Sequence, residues 1–254
     1  MSRTRWFDVG ASALAVAVMV GLSVSSCSVG EAGSAATPPA PATRSQATSD
    51  AHPLALFIGD SYVAGDGSDE LSYSCRAAVE MGWLCALAAR GGTGYISGGV
   101  ANRWADPVVG KSLSFSEQIS HVAAKYDPDY VLLDGGRNDL FARREVTYAK
   151  MVSTLSEARR TWPRAQVIFI RPRFLAKPRD DLGFDHRFMD SLKSDPATQG
   201  VIFIDPITSL AGTDTSTLLA TDGIHPNAAG KNAMSLALLV SLHSLLPRTV
   251  GSGI

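Results

Sequence analysis

Residues 54–61 read LALFIGDS, five apolar side chains in a row followed by a glycine, an acid and a serine. A run this short and apolar throughout suits a strand buried on both faces, because a half-exposed strand would alternate polar with apolar residues. Comparable runs recur at 83–89 (WLCALAA), 130–136 (YVLLDGG), 167–170 (VIFI) and 201–205 (VIFID). Between them, helical patterns lie near 72–81, 116–125, 146–162, 186–192 and 228–246. Strand and helix in alternation predict an α/β fold, a central parallel sheet wrapped on both faces by helices. Ligands of such sheets gather at the carboxyl ends of the strands. The residues after each run are therefore the ones to read for chemistry: Gly59-Asp60-Ser61, Gly91-Gly92-Thr93-Gly94, Gly136-Arg137-Asn138-Asp139 and, late in the chain, Asp222-Gly223-Ile224-His225.

The 254 residues suggest one globular domain with some spare length, at about 100–200 residues per domain. Lys plus Arg number 23 against 24 Asp plus Glu, a balance that excludes a strongly basic nucleic-acid binder. The spare length lies at the N-terminus. Arg3 and Arg5 precede a largely apolar run over 9–24 and then Ser25, Ser26 and Cys27, the order of a signal peptide. The apolar portion is shorter than the roughly 20 residues a spanning helix wants. Val24-Ser25-Ser26-Cys27 resembles a bacterial lipobox, which implies a signal peptide over 1–26 and a lipid anchor on Cys27. Ordinary secretory cleavage with Cys27 unmodified is the alternative. The Ala, Pro, Ser and Thr-rich stretch that follows, AATPPAPATRSQATS at 35–49, carries too little apolar surface to repay ordering. It reads as part of a flexible tether over 27–51 that holds a domain of 52–254 off the outer face of the cell membrane. Loss of residues 1–26 leaves 21 basic and 23 acidic residues, and no charge-driven partner follows.

Ser61 stands where a strand ends, so its hydroxyl can leave the sheet and meet a substrate; a serine there can also cap the next helix. His225 follows Asp222 by three residues. An Asp at that spacing can hold one imidazole nitrogen and leave the other to accept a serine proton. A local turn built on Asp222 is the competing reading. The tetrahedral intermediate of acyl transfer needs donors aimed at its oxygen, and Asn138 and Gly94 suit that role. Equally, Gly94 can serve a positive φ and Asn138 can cap a helix. Asp60 and Asp139 read as caps or as acceptors of loop N–H groups. Arg137 reads as a partner of Asp139 or of a substrate carboxylate, or as a solvated loop residue.

Together, FIGDSYVAG at 57–65, GGTG at 91–94, GGRND at 135–139 and DGIHPN at 222–227 resemble the four blocks of the SGNH hydrolases, also called GDSL-type hydrolases. The resemblance covers about 52–246, although 172–200 carries no family motif. It implies a three-layer, flavodoxin-like domain. Carried over by position, it makes Ser61 the nucleophile and a backbone donor, Gly94 a second backbone donor, Asn138 the side-chain donor, His225 the base and Asp222 its orienting carboxylate. Gly91 or Gly92 competes with Gly94. GDSY stands in place of GDSL, a change beside the nucleophile that alters the pocket wall.

The function that follows is a serine esterase that hydrolyses or transfers acyl groups through an acyl-Ser61 intermediate, with no metal or organic cofactor. Extracytoplasmic glycans, glycolipids or small esters carrying short acyl groups are the expected substrates. Two other classes compete. A metal-dependent phosphoesterase would use Asp60, Asp139, Asn138 and His225 as ligands, although one motif histidine is a poor supply for a dinuclear site. An envelope lipoprotein with an idle site is the third. The loop over 97–114, with Trp104, Asp106, Pro107 and nearby Phe115, is a candidate pocket border. Cys75 and Cys85 remain as a pair once Cys27 is given to the anchor, and export makes a disulfide between them possible. Two buried free thiols are the alternative.

Overall fold

The structure, a computed structural model, describes residues 52–65, 72–108 and 110–245. The signal segment 1–26, Cys27 and the whole of the tether to 51 lie outside the described residues. Among the described residues no helix is long and apolar enough to cross a membrane.

Five parallel strands form one sheet: β1 (Leu54–Gly59), β2 (Leu84–Ala89), β5 (Tyr130–Asp134), β6 (Gln166–Ile170) and β7 (Ile202–Ile204). Their order is β2-β1-β5-β6-β7, which puts β1 and β5 at the centre, with Phe57 opposite Leu132 and Gly59 opposite Asp134. The apolar runs are the strands, for the reason given by their burial. Leu56, Ile58, Val131, Leu133, Val167 and Phe169 face one core with α3 (Phe115–Val122), α4 (Arg144–Thr161) and α5 (His186–Ser194). Ala55, Phe57, Leu132, Ile168 and Ile170 face the other, with α2 (Tyr73–Glu80) and α6 (Ala228–Leu245). Both faces of the strands are thus apolar because both are covered, which makes three layers.

Local chemistry sets the helix ends. Ser114 and Glu117 form a capping box at the start of α3. The Asp185 carboxylate accepts the Phe188 N–H to open α5. Helix α4 ends at Trp162, which adopts φ −127° and ψ 77° ahead of Pro163, the residue type that bars an α conformation before it. Two elements escape the sequence pattern because they are too short for periodicity: α1 (Ser61–Ala64) and a small ribbon of β3 (Ala105–Asp106) and β4 (Gly110–Lys111).

A disulfide joins Cys75 on α2 to Cys85 on β2, with Cα atoms 5.3 Å apart across a turn in which Gly82 takes φ +75°. Closing a loop of this length restricts the unfolded chain by about 2–3 kcal/mol on the loop-entropy model. The Cys75→Ser, Cys85→Ser double variant should lose about that much stability in urea denaturation. An unchanged midpoint would show that the bridge does not stabilise the domain.

Candidate active site

The chain turns sharply from β1 into α1, and the turn leaves no room for a side chain: a Cβ on Gly59 would lie 2.3 Å from Val63 Cγ2. Asp60, not Ser61, is the N-cap of α1, its Oδ1 accepting the Tyr62 N–H at 2.9 Å. Ser61 is consequently the first helical residue, and its hydroxyl is available to the opposite loop.

That loop carries His225. Its Nε2 lies 2.8 Å from Ser61 Oγ and its Nδ1 lies 2.6 Å from Asp222 Oδ2. The other Asp222 oxygen accepts the N–H groups of Ile224 at 2.9 Å and His225 at 3.0 Å. The imidazole, followed by those two N–H groups, holds the Asp222 carboxyl down at about 2, so it stays a carboxylate at neutral pH. The turn reading and the base-orienting reading of Asp222 are therefore one arrangement: the same carboxylate shapes the turn and holds the ring. Asn227 then opens α6 by accepting the Gly230 N–H at 3.0 Å. The Asp222 and His225 side chains are 46% and 43% exposed, so water reaches the imidazole. A cavity of about 330 Å³ beside it is lined by Ser61, Tyr62, Gly65, His225, Pro226 and Lys231.

The glycine loop requires a correction. The Gly94 N–H donates to the Ser97 carbonyl at 3.0 Å, so it is not free to hold a developing oxyanion. Gly94 is needed for another reason: a Cβ there would lie 2.5 Å from Asp139 Oδ2. Gly91 is the glycine beside the serine, since a Cβ on it would come 3.6 Å from Ser61 Cβ. Neither the Gly91 nor the Ser61 N–H has an acceptor among the described residues. Asn138 sits on a short 3-10 turn after β5, entered through Gly136 at φ +115°. One hydrogen of its Nδ2 goes to the Thr93 carbonyl at 2.9 Å, which leaves the second for a ligand.

Arg137 is the second correction. It is neither solvated nor paired with Asp139; it is 4% exposed and bonds Asp60 at 3.0 Å, Asp134 at 2.8 Å and the Arg173 carbonyl at 2.7 Å. Its guanidinium lies 4.2 Å from the Tyr62 ring centroid, and the Tyr73 hydroxyl donates to the remaining Asp134 oxygen. Burial pushes the Asp60 carboxyl up to about 6, against the pull of Arg137. Burial alone would lower the Arg137 value, but Asp134 and Asp60 raise it further, so the guanidinium stays charged. Sequence reasoning missed Asp134 and the inward turn of Arg137, because what buries the guanidinium includes Asp60, 77 positions away.

Asp139 accepts the N–H groups of Tyr95, Ile96 and Ser97 at 2.8–3.1 Å, which fixes the glycine loop from below. With Asp60 on Arg137, Asp139 on backbone and His225 on Asp222 and Ser61, three of the four side chains of the phosphoesterase reading are committed elsewhere. Among the described residues, no group of three or more His, Cys, Asp or Glu could hold a metal ion. Phe115 is wholly buried in the core. Trp104 stays partly exposed, with the Arg90 guanidinium 4.2 Å from its ring, and a Cβ on Gly92 would lie 3.7 Å from it.

Removing the cation from a buried pair strands its carboxylates, so Arg137→Met should cost about 3–5 kcal/mol in urea denaturation. Adding Asp60→Asn and Asp134→Asn should recover part of that loss. A single variant as stable as the parent would show that the cluster does not depend on the ion pairs.

A family model of the GDSL-like lipase/acylhydrolase family matches residues 57–233. A GDSL lipase of Mycobacterium tuberculosis is 30% identical over 197 residues, 75% of this chain and 82% of that protein. Among solved structures, a family two carbohydrate esterase from Clostridium thermocellum in complex with cellohexaose superposes with TM-score 0.57 at 20% identity. The match spans 76% of this chain and 64% of the esterase. The psychrotrophic esterase EstA from Pseudoalteromonas sp. gives TM-score 0.54 at 14% identity, over 76% of this chain and 98% of EstA. These two likenesses show the three-layer α/β fold. With most of the domain matched and a serine facing a histidine at its centre, the chain belongs to the GDSL-like lipase/acylhydrolase family and is a serine esterase or acyltransferase.

Proposed function

We propose that Ser61, His225 and Asp222 perform acyl transfer as one unit, with the Ser61 and Gly91 N–H groups and Asn138 Nδ2 holding the oxyanion. The observation that carries this reading is the 2.8 Å contact of His225 Nε2 with Ser61 Oγ, backed by Asp222 on the other ring nitrogen. His225 takes the hydroxyl proton as Ser61 Oγ attacks the ester carbonyl, and the carbonyl oxygen becomes an anion facing the three donors. Collapse breaks the bond to the leaving alcohol, which takes the proton from His225. The acyl group then rests on Ser61. Water or an acceptor hydroxyl, deprotonated by the same imidazole, attacks the acyl-enzyme and returns Ser61 to its starting state.

A short acyl group fits this site. Among the described residues, the walls of the cavity beside Ser61, Tyr62, Gly65, Pro226 and Lys231, offer no long aliphatic trough. The extracytoplasmic substrate, a glycan, glycolipid or small ester, is read from the N-terminal sequence: the signal segment, Cys27 and the tether would place the domain at the outer face of the cell membrane. One acyl chain holds only marginally, whereas the several chains of a bacterial lipoprotein hold stably.

Ser61→Ala and His225→Ala should each abolish most ester turnover and labelling by a fluorophosphonate probe, with thermal unfolding little changed. Substantial turnover in either purified variant would overturn the assignment. Asn138→Ala should lower kcat roughly 10²- to 10³-fold with a smaller change in KM; a change in KM alone would mean ground-state binding. For the anchor, detergent-phase partitioning of the full chain should be lost in Cys27→Ser, and equal partitioning of both forms would remove the lipidated reading.

A further inference from the structure

The first motif departs from the family pattern at Tyr62, where GDSY replaces GDSL. Tyr62 is 2% exposed, and its hydroxyl reaches across 162 positions to donate to the Ile224 carbonyl at 2.6 Å. The same oxygen accepts the Leu175 N–H at 3.2 Å. Leucine has no atom that could make either bond. The Ile224 carbonyl belongs to the same peptide as the His225 N–H, which Asp222 holds at 3.0 Å. That peptide is therefore gripped at both polar ends. Two consecutive residues of α1 meet two consecutive residues of the histidine loop, Ser61 with His225 and Tyr62 with Ile224.

The phenol is itself immobilised. Its ring packs under the Arg137 guanidinium and lies edge-on to Phe174 with centroids 6.3 Å apart. The loop needs such an anchor, because exposed loops open more readily than the core and the His225 side chain is 43% exposed. A base displaced by about 1 Å can cost 10²-fold in rate.

We propose that Tyr62 is a positioning residue for acyl transfer, its hydroxyl clamping the Ile224–His225 peptide so that the imidazole stays within reach of Ser61. The inference rests on the reading of Ser61 and His225 given above. It assigns the tyrosine a role that the family's leucine cannot perform.

Tyr62→Phe keeps the ring and deletes only the hydroxyl; Tyr62→Leu, the family's own residue, is the second variant should Phe fail to fold. Steady-state kinetics and the rate of Ser61 labelling by a fluorophosphonate probe would be measured for each variant alone, and the residual ester turnover for each in a His225→Ala background. The expected result is a roughly ten- to hundredfold fall in kcat and in labelling rate, with KM within about twofold. In the His225→Ala background the substitution should cause no further loss, because the residue it positions is gone. Wild-type rates in folded Tyr62→Phe or Tyr62→Leu, or the same loss in both backgrounds, would overturn the inference while leaving the catalytic reading intact. A parent enzyme whose Ser61 takes no label would overturn both together.

Discussion

Arg137 lies between two carboxylates that hold the central strands' carboxyl ends together. Asp60 follows β1 and Asp134 closes β5, and both are wholly buried. Burying two anions costs several kcal/mol each unless their oxygens find donors. Here the donors are Arg137, the Tyr62 N–H and the Tyr73 hydroxyl. The cluster still carries one more carboxylate than cation, so both carboxylates depend on this one guanidinium. Ser61 adjoins Asp60 in sequence and Asn138 adjoins Arg137. Fixing the ion pairs therefore fixes the Ser61 hydroxyl relative to the Asn138 amide.

Rigidity and access are divided between the two sides of the site. The serine side is braced by the charge cluster, by Asp139 under the glycine loop and by close packing at Gly59. The histidine side is a half-exposed loop, which lets solvent reach the imidazole. An exposed loop holds an imidazole accurately only when its backbone is tied down, and Asp222 and Tyr62 tie down the same peptide from opposite ends. Tyr62 lies against Arg137, so the two sides meet in one buried contact.

The disulfide acts on a different part of the domain. It links α2 to the edge strand β2, whose last residue leads through Arg90 into the glycine loop. Trp83 stacked on Tyr130, with centroids 4.1 Å apart, adds an aromatic contact on the same face of the sheet. The strand that delivers Gly91 is thus held by a covalent bond and by packing, as well as by its ladder to β1.

The sequence alone determined the α/β class, the strands and the longer helices, since burial on both faces writes itself as continuous apolar runs and helices as a 3.6-residue period. It also placed Ser61 at a strand end and tied Asp222 to His225, because those relations are local. What it left open were matters of partner. Whether Gly94 or Gly91 offers a free N–H depends on Ser97 and Asp139, and whether Arg137 is solvated depends on Asp60, 77 positions earlier. Tyr62 does line the cavity, but its bond to Ile224 was not legible because that acceptor lies 162 positions away. A residue's type states which bonds it can make; only the tertiary fold decides which donors and acceptors come within 3 Å, and burial then decides what those bonds are worth.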